Sequence, residues 1–297
     1  MSMKKFQVGA VFPQFEIEHD PIIIRDFAQA LEGMGFDHLV AYDHVLGASQ
    51  ASRPDWRGPY DSDHAFYEPF TLFSYLAGLT RTIGLVSGIF VLPQRQTALF
   101  AKQAACTDVL SGGRLRLGVS IGWNPVEYEA LGIPFSQRAR RMEEQIDLLR
   151  RFWTEPTLSA DSEFHTVTDA GINPLPVQRP IPIWIGGGVD AAMDRAARIG
   201  DGYLGYGDAT NAARIIDYVG SRAEAAGRNP ADVGVENITF IGSRKSEART
   251  PEAAAEDAAI WREAGAAAVS FETLFLGKKT AQEHLAILER VARTLGL

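Results

Sequence analysis

The sequence predicts a single α/β domain, a (β/α)8 TIM barrel, and three observations predict it. Strand-like and helix-like segments alternate from one end of the 297-residue chain to the other. Eight such strands are legible, seven of them with a helix read before the next, in the pattern of eight βα units, and no shift in composition marks where a second domain begins. The length suits one closed barrel of this kind. A doubly wound open sheet is the competing topology, because strand count alone does not prove closure.

Phe6–Phe12 reads as the first strand, closed by Pro13, and Ile22–Met34 as an apolar-periodic helix that starts at Asp20-Pro21 and stops at Gly35. His38–Tyr42 is the second strand. Thr82–Val91 is a long third strand ended by Pro93, with the helix Thr97–Leu110 after it. The turn Ser111-Gly112-Gly113 leads into the fourth strand, Arg114–Ser120, where Leu115, Leu117 and Val119 hold the alternating apolar positions. An amphipathic helix, Ser136–Trp153, follows Pro134. Ile181–Ile185 is the fifth strand and Asp190–Ile199 its helix; Gly202–Tyr206 and Asn211–Ala226 form the sixth pair. Val233–Ile241 with Pro251–Ala264, then Ala267–Phe271 with Thr280–Leu295, complete the set. Two segments are too long for plain βα connections: residues 45–68, rich in aromatics, and residues 155–179, rich in Pro and Thr. They read as lids or insertions after strands two and four.

Composition excludes several classes. A net charge of −8, with no basic block interleaved with aromatics, argues against a nucleic-acid partner. No apolar run approaches the ~20 residues of a membrane span, and the opening Met1–Phe6 carries no signal-length apolar stretch, so the expectation is a protein that is not exported. The single cysteine, Cys106, rules out a disulfide framework and suits a reducing cytoplasm. Histidines lack ligand-like spacing, so no metal site is expected.

In a parallel barrel the strand carboxyl ends share one face, so their residues belong together. The second strand ends in Asp43-His44, an ionisable pair able to handle a proton near neutrality, or else a capping residue beside an exposed imidazole. Gly88, inside the long third strand, marks a bulge, a close ligand or a bulky packing neighbour. The fourth strand opens into Ser120-Ile121-Gly122-Trp123-Asn124, and the fifth into Gly186-Gly187-Gly188 ahead of a helix. That glycine run is either a seat for phosphate on free N–H groups or a tight βα corner. From these residues alone a cofactor-free barrel hydrolase or lyase using Asp43 and His44 is a competing reading.

As a set, Tyr42–Val45, Ile89–Arg95, Ala101–Ala104, Leu110–Gly118, Gly122-Trp123, Glu127–Gly132, Pro182–Gly187 and Ala197–Gly202 resemble the luciferase-like flavin oxidoreductases, in order and over about two-thirds of the chain. The resemblance is greatest to the branch that uses coenzyme F420. It implies a small-molecule substrate and F420, or alternatively FMN with oxygen in a monooxygenase. A homodimer and a separate flavin or F420 reductase are the implied partners. His44 falls on a proton-handling or substrate-facing position, oriented by Asp43. Gly88 and Ile89 fall on a third-strand bulge with a non-prolyl cis peptide behind the coenzyme ring. Ser120, Gly122, Trp123 and Asn124 would line the ring's edge, and Gly186, Gly187 and Gly188 would hold its phosphate. Ser120 stands where the luciferase branch has a reactive cysteine, and Trp123 where the sugar-phosphate dehydrogenase branch has a glutamate, so neither of those activities carries over.

Overall fold

Alternation of β-branched strands with alanine-rich amphipathic helices closes on itself in the computed structural model, which describes residues 5–242 and 248–297. Met1–Met3, part of the opening read above as lacking a signal-length stretch, lie outside the described residues. The first half of the ring holds β1 (Gln7–Val11), β2 (His38–Ala41), β3 (Gly84–Ser87) with β4 (Phe90–Val91), and β5 (Leu115–Ser120). The second half holds β8 (Ile183–Gly186), β9 (Gly202–Gly205), β10 (Gly234–Phe240) and β11 (Ala268–Glu272). A hairpin of β6 (Leu158–Asp161) and β7 (Thr166–Ala170) stands outside the ring. Strand order is β3-β2-β1-β11-β10-β9-β8-β5-β4, and β3 also pairs with β5, so the sheet has no free edge. Every pairing in the ring is parallel. Closure decides for the barrel and against the open sheet.

Around it lie α1 (Pro21–Gly33), α2 (Pro69–Ala77), α3 (Thr97–Ser111), α4 (Pro125–Ala130) and α5 (Arg138–Thr154). α6 (Asp190–Ile199), α7 (Ala212–Ala225), α8 (Pro251–Ala264) and α9 (Ala281–Leu295) follow. Side-chain caps start several of them: Asp20 accepts from Ile22 N at 2.7 Å and Glu68 from Thr71 N at 2.8 Å. The main core, with Phe27, Leu39, Phe73, Leu85, Phe100, Leu117, Trp153 and Ile183, packs between barrel and helices. The sequence reading missed α2 and α4, each opened by a proline at its first turn, and the hairpin inside residues 155–179.

Every second residue of a barrel strand points inward. The interior is layered accordingly. Val11, Val40, Val86, Leu204 and Ile238 form an apolar layer against which Tyr42 and Ile89 pack. Below it, toward the strand starts, His38, Arg116, Glu236 and Ser270 form a polar layer. Glu236 Oε1 accepts from Ser270 Oγ at 2.6 Å and lies 2.8 Å from His38 Nε2, while Oε2 pairs with Arg116. Burial alone would raise the Glu236 carboxyl, but Arg116 and His38 outweigh it and bring it down to about 2.

The expected long third strand is broken by a bulge. Val86 pairs with Arg116 and Phe90 with Val119, so four steps on one side meet three on the other. Ser87 Oγ fills the gap this leaves, donating to Gly118 O and accepting from Gly118 N, both at 2.9 Å. The bulge is trans: among the described residues the cis peptide bonds are Asn173–Pro174 and Arg179–Pro180, which corrects the cis bond expected at Gly88–Ile89. Ordinary backbone torsions absorb one extra residue without the ~3 kcal/mol of a non-prolyl cis bond. A Cβ at Gly118 would lie 2.1 Å from Ser87 O. Gly118→Ala is therefore expected to destabilise the fold by about 1–3 kcal/mol, read as a lower urea midpoint with unchanged slope; an unchanged midpoint would show that the bulge is soft.

Candidate active site

The bulge and the strand ends place the residues of interest on one face. His44 follows β2, and its ring lines a cavity of about 370 Å³ together with Trp123 and Asn124 from the loop after β5 and Tyr60, His64 and Phe66 from residues 45–68. The His44 ring is boxed by Phe66, Tyr60 and Trp123 at centroid distances of 4.8, 5.1 and 5.6 Å. Its Nδ1 lies 3.2 Å from Glu127 Oε1.

Glu127 is the residue that sequence reasoning left without a role. It sits in the first turn of α4, where Asn124 caps the helix by accepting from Val126 N at 3.0 Å. Its side chain is 1% exposed, and Oε1 also accepts from Val45 N at 2.9 Å. The available signal was an acid three residues after an Asn-Pro helix start. Asp43, expected to orient His44, points elsewhere. One oxygen accepts from Val91 N at 3.0 Å, fixing β4 just past the bulge, and the other meets Arg95 Nη2 at 2.7 Å. The physical reason is parity: consecutive residues leave a strand on opposite faces, so Asp43 and His44 cannot both face the mouth. Burial lifts the Asp43 carboxyl above its usual range, against the pull of Arg95. Arg95 also reaches Glu68 at 2.9 Å and lies over the Phe90 ring.

The other predicted residues divide by position. Gly88 and Ile89 form the bulge, half-buried at the mouth, and Ile89 reaches across to Gly186 at the end of β8. Ser120 ends β5 and is half-buried; Gly122, with φ of 66°, rests on Val91. Gly187 and Gly188 lead into α6, with the Gly187 carbonyl accepting from Tyr203 Oη at 2.5 Å. Asn124 lines the cavity but spends its oxygen on the α4 cap.

Residues 45–68 fold over the cavity as a compact lid. Ser62 N donates to Ala48 O at 3.1 Å, Trp56 Nε1 donates to Tyr60 O at 2.9 Å, and the Trp56 ring packs tilted against Trp123 at 5.5 Å. Gly47 admits this fold, since a Cβ there would lie 2.2 Å from the Asp61 backbone. No group of three or more His, Cys, Asp or Glu suited to a metal occurs among the described residues, and no helix among them is long and apolar enough to cross a membrane.

Residues 15–294 match the sequence profile of the luciferase-like monooxygenases. An FMNH2-dependent dimethylsulfone monooxygenase of Pseudomonas putida is 30% identical over 230 residues, covering 76% of this chain and 60% of the relative. An F420-dependent glucose-6-phosphate dehydrogenase of Kribbella flavida is 29% identical over 250 residues, covering 81% and 70%. Among solved structures, an F420-dependent secondary alcohol dehydrogenase in complex with an F420-acetone adduct superposes with a TM-score of 0.79 over 98% of this chain and 99% of that one; at 14% identity this is a likeness of fold. With nearly its whole length aligned to the profile, the chain belongs to the luciferase-like monooxygenase family.

Proposed function

We propose that this protein is an F420-dependent oxidoreductase that moves hydride to or from a small, mostly apolar organic substrate. The observation that carries the reading is the His44 imidazole, held at Nδ1 by Glu127 and presented to a cavity lined in part by Tyr60, Phe66 and Trp123. Hydride transfer at an oxygen-bearing carbon leaves a proton to be taken up or supplied, and imidazole does both near neutrality. With Nδ1 bonded to a carboxylate, Nε2 is the nitrogen left to exchange that proton. The relative from Kribbella flavida supports the same coenzyme.

The residues at the mouth fit a flat coenzyme. Gly188 is exposed and Gly88, Gly122 and Gly187 are partly exposed, and they bring backbone without side chains to the carboxyl ends of three strand positions, beside Ile89 and Trp123. The N-cap of α6, Val189, brings no side-chain oxygen, so Gly188 and the helix start would hold a phosphate by N–H groups, while Gly187 N donates to Leu204 O at 3.3 Å. When bound, a deazaflavin supplies two-electron hydride chemistry, and FMN supplies that and oxygen chemistry. The lid's aromatic side chains, packed on His44 and Trp123, would shield the bound coenzyme and substrate from water, which serves both chemistries. Similarity to the FMNH2-dependent monooxygenase makes FMN the second reading. Fluorescence titration with each coenzyme decides: micromolar binding of F420 with much weaker FMN binding is expected, and the reverse preference overturns the F420 reading.

A further inference from the structure

The cavity under the lid is rich in acceptors and negative charge and carries no fixed cation. His64, on the lid, lines it together with His44. Each imidazole meets a carboxylate at Nδ1: Asp61 Oδ1 at 2.8 Å for His64, and Glu127 Oε1 at 3.2 Å for His44. Both carboxylates are acceptors for other groups too. Asp61 takes Asp63 N at 3.0 Å and Gln50 Nε2, and Glu127 takes Val45 N at 2.9 Å. Burial favours a neutral Asp61 carboxyl, but its hydrogen bonds outweigh that and hold it below its usual range. The ring protons therefore sit on Nδ1, and both Nε2 atoms are lone-pair acceptors. No group among the described residues bonds either Nε2, and neither atom is shut away from solvent.

The charges around these acceptors have one sign. No Lys or Arg lines the cavity, and among the described residues the ion-pair partners of Asp61 and Glu127 are the two imidazoles themselves. The lid's Arg57 is exposed and spends its donors on Pro54 O and Trp56 O. The Asn124 amide is committed as well, its oxygen to Val126 N and its Nδ2 to Leu46 O at 3.4 Å. Ser62 adds a hydroxyl that accepts or donates as its partner requires. The rest of the polar wall asks for donors and a positive charge, and Tyr60, Phe66 and Trp123 add ring surface that suits a cation and its hydrocarbon alike.

We propose that the cavity takes small primary amines in their ammonium form, and that Nε2 of His64 is the specificity-determining acceptor of their N–H. An alcohol offers a single donor and a carbonyl none, whereas an ammonium group offers three and a charge opposite to that of the two carboxylates. The proposal rests on the hydride-transfer reading for the reaction in which it serves, and the balance of one hydride and one proton is the same at a nitrogen-bearing carbon as at an oxygen-bearing one. The ammonium gives one proton to Nε2 of His44. The C–H beside nitrogen then leaves with its electron pair as hydride to the oxidised deazaflavin, and the nitrogen lone pair closes a C=N bond. The iminium product keeps two N–H groups, so His64 accepts from substrate and product alike and neither gains nor loses a proton.

Calorimetric binding of benzylamine, benzyl alcohol and toluene to the protein without coenzyme tests the proposal, at about pH 8, where imidazole is neutral and the amine charged. Wild type is expected to bind benzylamine about tenfold more tightly than benzyl alcohol. His64→Phe removes the acceptor and keeps a ring against the edge of Phe15, which lies 4.9 Å away; it is expected to bind benzylamine about tenfold more weakly with toluene affinity unchanged. Nitrogen-15 NMR of labelled histidine provides a second measurement in the unaltered chain: the His64 Nε2 resonance should move on adding benzylamine and not on adding benzyltrimethylammonium, a cation without N–H. Benzylamine bound no more tightly than benzyl alcohol, benzylamine affinity unchanged in His64→Phe, or a His64 resonance indifferent to benzylamine overturns it. Loss of toluene binding in the variant would mean a misfolded lid, and the NMR result on wild type then decides. Since no coenzyme is present, failure of the F420 titration and failure here are read separately.

Discussion

His44→Ala is expected to lower turnover by about 10²–10⁴-fold while coenzyme affinity holds. The side chain lines the cavity under residues 45–68, not the strand-end glycines that would seat the coenzyme, and it carries the imidazole whose Nδ1 is bonded to Glu127. Truncation removes the imidazole proposed to exchange the proton and leaves the Glu127 carboxylate with its backbone donors, Val45 N at 2.9 Å and Leu46 N at 3.4 Å, so the lid root stays anchored. Steady-state turnover with the coenzyme found by titration, measured beside a coenzyme titration of the variant, checks both halves. Turnover equal to wild type with binding intact removes His44 from the chemistry.

The largest stability effect is expected at Glu236. Its side chain is fully buried between Arg116, His38 and Ser270, and Arg116 is only 13% exposed. Glu236→Ala strands the guanidinium and strips two neighbours of their acceptor, a loss of about 3–5 kcal/mol. The pH dependence follows from the depressed carboxyl, about 2 folded against 4.5 ordinarily. A carboxyl lowered by folding contributes stability in full above 4.5 and loses it as pH falls toward 2. The gap between wild type and variant in urea unfolding should therefore be widest at neutral pH and narrow by pH 3. A gap below about 1 kcal/mol at neutral pH, where breaking a buried pair should cost several times that, would falsify the assignment of this layer as a coupled ion network.

Local pattern carried much of the fold into view. The 2-residue period of strands such as Leu115–Val119, and helix starts such as Asp20-Pro21, need only neighbours to be recognised, and both stand where they were expected. His44, Trp123 and Asn124 likewise follow from the rule that strand ends meet at one face. Partnership did not follow. Glu127 reaches His44 across 83 residues and Arg95 reaches Asp43 across 52, contacts that exist only once the barrel has closed. Adjacency suggested Asp43 as the partner of His44, and strand parity overruled it. The polar layer had a visible signal, since Arg116 and Glu236 interrupt apolar strands at inward positions, but which charges meet depends on register between strands far apart in sequence. The bulge was readable from Gly88, whereas the hydroxyl that locks it, on Ser87, was not.

A single carboxylate at position 127 grips both the His44 imidazole and the first amides of the segment that covers it. Beyond Leu46 the hydrogen bonds of that cover, such as Ser62 N to Ala48 O, Trp56 Nε1 to Tyr60 O and His64 to Asp61, run mostly within it. Such an arrangement separates two parts, a hinge pin that fixes the imidazole and a canopy whose side chains are open to revision without disturbing it.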